Sequence, residues 1–351
     1  MGLFRAIRRA YEAHETLAKL VGVLVFLLII ASLYAAVLYH PTSGAVPLSS
    51  AATSTPAANP TDEPTGTPPT GTRPTPMPPI PAGSYQVTVQ KNLAYGPVEN
   101  VAERLDLCTP NGAASLEPGV VLIHGGGFIG GEKEDYEALC LALASHGFVV
   151  ATLNYRLSPA NTWPAPLVDV QLAVRWLRAH ASDTHLDPQR LCALGDSAGG
   201  NLAVFLGVLH SIHPGDKASL LTDQSPSVSC VVDAFGPVDL TSLGANPFWQ
   251  AIFPQLFGQG KQNNLALQRD ASPLFDVTAL SAPTLIIQGS IDDTVPSSQS
   301  LALQRALQQA GVSVSYISFP GGHEYTGLSA QQRQAINLQV LTFLTNQERL
   351  S

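Results

Sequence analysis

The sequence RLCALGDSAGGNLAVFLGVL, residues 190–209, decides the fold because it joins a strand, a tight turn and a helix in one run. A β-rich apolar run, 190–194, leads into Gly195-Asp196-Ser197-Ala198-Gly199, and residues with helical periodicity follow from 198 to 209. A G-x-S-x-G turn in this setting forms a nucleophile elbow, whose strained backbone lifts the serine hydroxyl clear of the sheet. Flanking glycines remove the Cβ clashes that such a turn creates. The stretch therefore predicts Ser197 as a nucleophile rather than part of a chance turn.

A glycine run closes another predicted strand, upstream of the elbow. His124-Gly125-Gly126-Gly127-Phe128 ends the apolar run 120–124. Consecutive glycines let backbone N–H groups turn toward a substrate oxygen, and such a run supplies the amides of an oxyanion hole. We expect the donors to be the amides of Gly126 and Gly127, joined by Ala198 after the nucleophile. A phosphate loop is disfavoured because no G-K-[ST] sequence follows.

An acid and a histidine follow the elbow in the order that a Ser, acid, His triad on this architecture requires. The sequence GSIDDTVP, residues 289–296, comes after the apolar run 284–288 and offers Asp292 and Asp293. The sequence GGHE, residues 321–324, comes after the run 314–319 and places His323 on the next loop. Each feature is weak alone, since loop aspartates often form turns and histidines often lie at the surface. Their order, each after a strand, makes the prediction strong.

Strand-like and helix-like segments alternate along residues 83–351, which predicts a mostly parallel sheet with helices on both faces. Two antiparallel strands, near 85–89 and 103–107, precede the parallel part. The other predicted strands are 120–124, 148–154, 190–194, 228–235, 284–288 and 314–319. The predicted helices are 134–145, 168–180, 198–209, 298–310 and 331–344. Residues 239–282 contain no predicted strand, and we expect short helices there to cover the site.

Seven motifs resemble those of the α/β-hydrolases of the hormone-sensitive-lipase and carboxylesterase group, especially its small bacterial esterases. They are HGGGF at 124, NYRL at 154, WPAPLVDVQLAVRWLRAHA at 163, GDSAGG at 195, ASPL at 271, GSIDDTVP at 289 and GGHE at 321. The resemblance covers roughly residues 84–348. It implies Ser197 as nucleophile, His323 as general base and Asp292 as the acid that orients it.

The resemblance implies a carboxylic-ester hydrolase that acts on small-molecule esters through an acyl-enzyme, without a metal or organic cofactor.

The sequence departs from the pattern of this family in two places. The stretch before the glycine run is too short for the helical cap of larger members, which favours short acyl chains. Gln288 stands where many relatives have His, a change expected to be structural. A peptidase or amidase of the same fold, or an inactive membrane-tethered binding domain, are the alternatives. The oligomeric state stays open.

The N-terminal region is predicted to anchor the protein. Residues 20–39 carry no charge, and 20 helical residues match a hydrocarbon core of about 30 Å. Residues 1–19 hold four basic side chains and should stay in the cytoplasm, so the catalytic domain should lie outside. Cleavage of the span as a signal peptide is the alternative. Residues 40–82, rich in Pro and Thr, are predicted to be a disordered linker to a domain at 83–351.

Charge argues against a nucleic-acid partner. The formal net charge is −8, and residues 83–351 hold 13 basic and 22 acidic side chains. Neutralising phosphates requires clustered Lys and Arg, which an acidic domain does not offer. A hydrophobic content of 45% also excludes a disordered chain.

Several polar residues are predicted to have supporting or structural roles. Asp196 cannot reach the far side of the imidazole and should bond to nearby groups. Arg156 and Asp169 either support the site from beneath or form a structural salt bridge. Free thiols are favoured over disulfides for four cysteines, and solvated positions over a metal site for four histidines; these are Cys108, Cys140, Cys192 and Cys230, and His180, His185, His210 and His213.

Overall fold

A single eight-stranded sheet forms the centre of the described part of the chain. The computed structural model describes residues 80, 82–96, 101–113 and 115–350. The strands are β1 (Val87–Ala94), β2 (Arg104–Pro110), β3 (Glu117–Ile123), β4 (Val149–Leu153), β5 (Leu186–Asp196), β6 (Cys230–Ala234), β7 (Thr284–Gly289) and β8 (Val314–Phe319). Their order is β1-β2-β4-β3-β5-β6-β7-β8. The β1–β2 and β2–β4 pairs are antiparallel and the other pairs parallel, as predicted.

Helices cover both faces of the sheet. They are α1 (Glu137–Ser145), α2 (Ala165–Ala179), α3 (Ala181–Thr184), α4 (Ala198–Val208), α5 (Pro247–Phe257), α6 (Leu265–Asp270), α7 (Ser297–Gln309) and α8 (Ala330–Leu350). Side chains of α2, α4 and α7 pack in one hydrophobic core, and those of α1 and α8 pack in the other. The predicted α/β class, with a mostly parallel sheet between helical layers, is confirmed.

The two cores explain why the parallel strands read as continuous apolar runs. In β3, Val121 and Ile123 face the first core, and Val120 and Leu122 face the second. All four side chains are fully buried. Since successive side chains of a strand point to opposite faces, a strand covered on both sides must be apolar throughout. The fold therefore follows from short apolar runs rather than from alternation.

Some element boundaries differ from the predicted ones. β5 begins at Leu186 rather than 190, because Leu186 pairs with Glu117 of β3. The predicted helix 134–145 divides into a 3₁₀ turn, Lys133–Tyr136, and α1. The last helix continues past 344 to Leu350. These differences depend on pairing and packing between segments that are distant in sequence.

Short helices occupy the long excursion 239–282, as predicted. Besides α5 and α6 it contains the 3₁₀ turns Leu240–Ser242 and Pro273–Asp276. The start of α5 is locally encoded: the side chain of Asn246 accepts a hydrogen bond from the N–H of Phe248 at 2.9 Å, and Pro247 occupies the first turn. Such caps satisfy N–H groups that have no acceptor within the helix.

The prediction of free thiols is wrong, since all four cysteines form disulfides. Cys192 pairs with Cys230 and Cys108 with Cys140, and no free cysteine remains among these four. Cys192 and Cys230 are register partners on neighbouring parallel strands, with Cα atoms 4.6 Å apart. The Cα atoms of Cys108 and Cys140 are 6.0 Å apart. Both separations lie in the range that a disulfide spans. The prediction rested on the expected burial of these cysteines in core strands. Burial alone does not show which cysteines lie next to each other in the folded sheet.

The predicted N-terminal segments, 1–19, 20–39 and nearly all of 40–82, lie outside the described residues. Within the residues that are described, none of the helices combines the length and the apolar character that crossing a membrane requires.

Candidate active site

Three predicted site residues meet at the carboxyl edge of the sheet. Ser197 follows β5, Asp292 follows β7 and His323 follows β8. The Nε2 atom of His323 lies 2.9 Å from the Oγ atom of Ser197, and its Nδ1 atom lies 2.8 Å from the Oδ2 atom of Asp292. An ionised carboxylate can only accept, so Nδ1 carries the proton and Nε2 is left to accept from the serine hydroxyl. This arrangement lets His323 remove the hydroxyl proton.

The elbow holds Ser197 in a strained conformation. Its φ is 51° and its ψ is −120°, a region that residues other than glycine rarely adopt and that costs about 1–3 kcal/mol. The N–H of Ser197 donates to the carbonyl of Ala234 on β6 at 2.9 Å, which holds the turn against the sheet. A Cβ atom on Gly199 would collide with the carbonyl oxygen of Ile123. The tight approach of α4 to β3 therefore requires glycine at that position.

Asp292, rather than Asp293, provides the carboxylate that meets His323. Its Oδ1 atom accepts from the backbone N–H groups of Thr294 at 3.0 Å and Val295 at 2.9 Å. Its side chain is fully buried, whereas Asp293 is exposed. The loop thus directs the two adjacent side chains to different environments, in agreement with the motif register.

The glycine loop lies beside the elbow because its strand is the neighbour of β5. Ile123, at the end of β3, is the register partner of Gly195 at the start of the elbow. Gly126 and Gly127 have φ values of 100° and 62°, and these left-handed conformations favour glycine. The carbonyl of Gly126 accepts from the N–H groups of residues 129 and 130, both at 3.0 Å. These bonds fold residues 126–130 into a tight turn directly after β3.

The three predicted oxyanion donors belong to this corner of the molecule. Gly126 and Gly127 lie in the loop after β3, and Ala198 is the first residue of α4. The first N–H groups of a helix have no acceptor within the helix, and they carry the positive end of its dipole. An oxygen that becomes negatively charged next to Ser197 would meet this end of α4.

Asp196 links the elbow to the glycine loop. Its Oδ1 atom accepts a hydrogen bond from the hydroxyl of Tyr136 at 2.6 Å, and its carboxylate also accepts from the N–H of Gly125. Burial raises the pKa of Asp196 to about 6, although both hydrogen bonds act in the opposite direction. The expected bonding role of Asp196 is confirmed. Sequence reasoning missed Tyr136, which lies 60 residues away along the chain.

Arg156 and Asp169 form a salt bridge, one of the two predicted roles. The guanidinium contacts both carboxylate oxygens of Asp169, and the backbone N–H of Arg156 donates to the same carboxylate at 2.7 Å. Burial raises the pKa of Asp169 to about 6. Direct support of the glycine loop comes instead from Tyr155, whose hydroxyl donates to the carbonyl of His124 at 2.9 Å and whose ring stacks on the imidazole of His124. Sequence reasoning did not single out Tyr155, and its position in the NYRL motif was the signal that could have identified it.

Helix α5 joins the acid loop to the glycine loop. Asn246 Nδ2 donates to the carbonyl of Asp293 at 2.7 Å, and Trp249 Nε1 donates to the carbonyl of Thr294 at 2.9 Å. On its other side, Phe248 and Ile252 lie 3.3 and 3.2 Å from the point where a Cβ atom of Gly127 would be. The excursion therefore covers the site as predicted.

The four histidines that were predicted to be solvated differ in exposure. His185 and His210 are exposed, as expected. His180 and His213 are half-buried rather than fully solvated: His180 stacks on Trp176, and His213 packs edge-on against Trp163 and lies 3.5 Å from a carboxylate oxygen of Asp270. Each of these two imidazoles packs against a tryptophan ring and remains partly exposed to solvent. Across the residues that the structure describes, no cluster of three or more His, Cys, Asp or Glu is arranged to hold a metal ion.

Comparison with known proteins shows that the chain is similar to esterases. The BD-FAE family model matches residues 105–307. The chain is 30% identical over 220 residues to the esterase LipQ of Mycobacterium tuberculosis (strain ATCC 25618 / H37Rv), covering 62% of this chain and 52% of LipQ. It is 31% identical over 219 residues to an ethyl acetate hydrolase of Pseudomonas putida, covering 58% of this chain and 64% of that protein.

A solved structure shows the same fold. A truncated carbohydrate esterase from gut microbiota superposes with a TM-score of 0.66 at 27% identity, covering 77% of this chain and 99% of that one. The chain spans about half the length of the first curated relatives it matches, from 45% to 59%.

Proposed function

The chain belongs to the BD-FAE family, and on that premise we propose that it is a serine-dependent carboxylic-ester hydrolase. The observation that carries the proposal is the continuous hydrogen-bonded chain from Asp292 through His323 to Ser197, with distances of 2.8 and 2.9 Å. Relatives named as esterases and as an ethyl acetate hydrolase support the same reaction class.

The reaction follows from the position of each group. Asp292 holds His323 in the tautomer whose Nε2 atom accepts the Ser197 proton, and the oxygen of Ser197 attacks the ester carbonyl. The amides of Gly126, Gly127 and Ala198 would stabilise the oxyanion. The imidazolium then donates its proton to the departing alcohol. Water attacks the acyl-enzyme in the second half-reaction, with His323 again acting as base.

We propose that the acyl chains are short. Phe248 and Ile252 of α5 contact the space next to Gly127, so they form a wall beside the proposed oxyanion hole. Bulky side chains in that position limit the length of an acyl group that can lie beside the reacting carbonyl. The similarity to an ethyl acetate hydrolase, whose name specifies a two-carbon acyl group, supports this size class.

A direct test combines labelling and turnover. A phosphonate ester should label Ser197, and p-nitrophenyl esters of two to about six acyl carbons should be hydrolysed faster than longer ones. Ser197→Ala should fold and lose both activities, because the elbow accommodates the smaller side chain. Labelling of another serine, or cleavage of a peptide anilide in preference to esters, would contradict the proposal.

We also propose that the catalytic domain, residues 83–351, is tethered outside the cytoplasm by residues 20–39. The uncharged run with its basic flank supports this orientation. The two disulfides support it independently, because disulfides persist in oxidising compartments. Protease added to intact spheroplasts should release an active fragment by cutting residues 40–82. If the activity stays with the spheroplasts after protease treatment, the catalytic domain is cytoplasmic. If the activity is found in the medium without protease, the span has been cleaved.

A further inference from the structure

Gln288 connects the triad acid to the core of the protein. It lies next to last in β7 and is completely buried. Its Nε2 atom lies 3.2 Å from Oδ2 of Asp292, 3.2 Å from the carbonyl of Gly289 and 3.1 Å from the carbonyl of Val295. Its Oε1 atom accepts a hydrogen bond from the hydroxyl of Ser300 on α7 at 2.7 Å.

These contacts determine the orientation of the amide. The nitrogen faces three oxygen acceptors, and the oxygen faces a hydroxyl donor. Rotating the amide by 180° would place its oxygen against two carbonyl oxygens and a carboxylate oxygen, none of which donates a hydrogen bond, and this costs free energy without compensation. The N–H side of Gln288 therefore points at Asp292.

A second donor at Oδ2 matters because the terminal torsion of an aspartate is soft. Rotation about its Cβ–Cγ bond has broad minima, so the packing around the carboxylate must set the angle. Two backbone N–H groups hold Oδ1, and they leave Oδ2 free to swing about that anchor. Gln288 and His323 both donate to Oδ2, at 3.2 and 2.8 Å. Gln288 thus limits the swing of the oxygen that orients the imidazole.

We propose that Gln288 is a positioning residue of the catalytic triad. Its amide, held by Ser300, fixes the plane of the Asp292 carboxylate and so keeps His323 aligned with Ser197. This inference rests on the proposed serine-hydrolase function. It predicts that the loss of the amide lowers the rate of the chemical step and leaves substrate binding unchanged, because Gln288 is completely buried and its hydrogen bonds all go to groups of the protein.

Gln288→Met is the main test, since Met keeps the length and approximate volume of the side chain and removes the donor. A hydrogen bond to a charged group contributes about 1.5–3 kcal/mol, so kcat should fall about 10- to 100-fold while KM changes by less than about threefold. The rate constant for phosphonate labelling of Ser197 should fall in parallel. Gln171→Met is the matched control: Gln171 is equally buried, and its amide bonds to the backbone of Ser211 and His213. It should lower thermal stability with kcat unchanged.

Gln288→Glu tests the proposal through the pH dependence of activity, which would not change if Gln288 had a purely structural role. The protonated acid can donate to Asp292 and keep the alignment, whereas the ionised form places a second carboxylate against Oδ2. The variant should therefore approach wild-type activity at low pH and lose it as the pH rises, in contrast to Gln288→Met. It also preserves the shape of the side chain, so it tests the proposal if Gln288→Met fails to fold.

Three results would overturn the inference. They are a folded Gln288→Met variant with wild-type kcat and labelling rate, a loss confined to KM, and a Gln288→Glu profile that follows the wild type at every pH. The failure of the proposed function looks different, because the wild-type protein itself would then neither hydrolyse esters nor react with the phosphonate.

Discussion

The hydroxyl of Tyr136 lies 2.6 Å from the carboxylate of Asp196, the residue before the nucleophile. Tyr136 is buried and Asp196 is half-buried, and the same carboxylate accepts from the N–H of Gly125. A single acid therefore joins the elbow, the glycine loop and the 3₁₀ turn before α1. We therefore expect the position of the predicted oxyanion donors relative to Ser197 to depend on this link.

Removal of the Tyr136 hydroxyl should weaken both activity and stability. Tyr136→Phe leaves the half-buried Asp196 carboxylate short of a donor, which should lower the free energy of unfolding by about 1–3 kcal/mol. We expect kcat/KM to fall about tenfold, less than the 10²- to 10³-fold loss when an oxyanion donor is removed. Tyr95→Phe is the control, since the buried Tyr95 hydroxyl donates to the carbonyl of Asn154, away from the elbow. An equal loss of activity in the two variants would contradict the link.

The destabilisation of Tyr136→Phe should also depend on pH. The native pKa of Asp196, about 6, lies above that of an unfolded carboxyl group, so the native state binds the proton more tightly. Stability from this group is therefore lost as the pH rises from about 4 to 6. Without the Tyr136 hydrogen bond the pKa rises further, and urea unfolding should show a larger deficit at pH 8 than at pH 5. A deficit that is the same at both pH values would argue against this electrostatic role.

Asp292 and Asp293 should differ sharply when each is replaced by Asn. Asp292→Asn should lower kcat by about 10⁴-fold, because the amide no longer selects the tautomer that accepts the serine proton. Asp293→Asn should change kcat by less than about threefold, since an exposed loop charge contributes little. Steady-state kinetics on one p-nitrophenyl ester measures both. The opposite ranking would mean that Asp293, and not Asp292, is the triad acid.

Phe248 should limit acyl length. Phe248→Ala opens the wall beside Gly127, so the ratio of kcat/KM for an eight-carbon ester to that for a four-carbon ester should rise. The gain is about 0.8 kcal/mol for each methylene group that becomes buried, which is about fourfold in kcat/KM. Phe275→Ala is the matched control, because Phe275 is similarly exposed, at 37% against 39%, and its ring stacks under Arg269. A parallel shift in the two variants would mean that Phe248 does not face the acyl chain.

Asp233→Asn should stabilise the protein at alkaline pH. Asp233 is fully buried, its Oδ1 accepts from the N–H of Gly236 at 2.9 Å, and its Oδ2 has no partner among the described residues. Burial raises the pKa of Asp233 to about 7, so ionisation above that pH costs native stability. The variant should gain on the order of 1–3 kcal/mol between pH 5 and pH 8 relative to wild type. Urea unfolding at the two pH values measures it, and a constant difference would contradict the ionisation of Asp233.

The sequence by itself determined the layered α/β architecture and the choice of Ser197, Asp292 and His323 as the candidate triad. Apolar runs such as 120–124 report burial on both faces of a strand, and the G-x-S-x-G turn requires glycines within a few residues of Ser197. The placement of Ser197, Asp292 and His323, each after a strand of the parallel sheet, also predicted that their side chains lie close together, because parallel strands bring their carboxyl ends to one edge of the sheet. These are local patterns, and local sterics enforce them.

Tertiary structure alone decided which distant groups meet. The disulfides Cys108–Cys140 and Cys192–Cys230, the hydrogen bond from Tyr136 to Asp196 and that from Ser300 to Gln288 each join different elements. Strand register, helix rotation and side-chain rotamer set these contacts, and each depends on the packing of the whole core. A residue's type limits the bonds that it can form, but its partner is fixed only when the elements pack together.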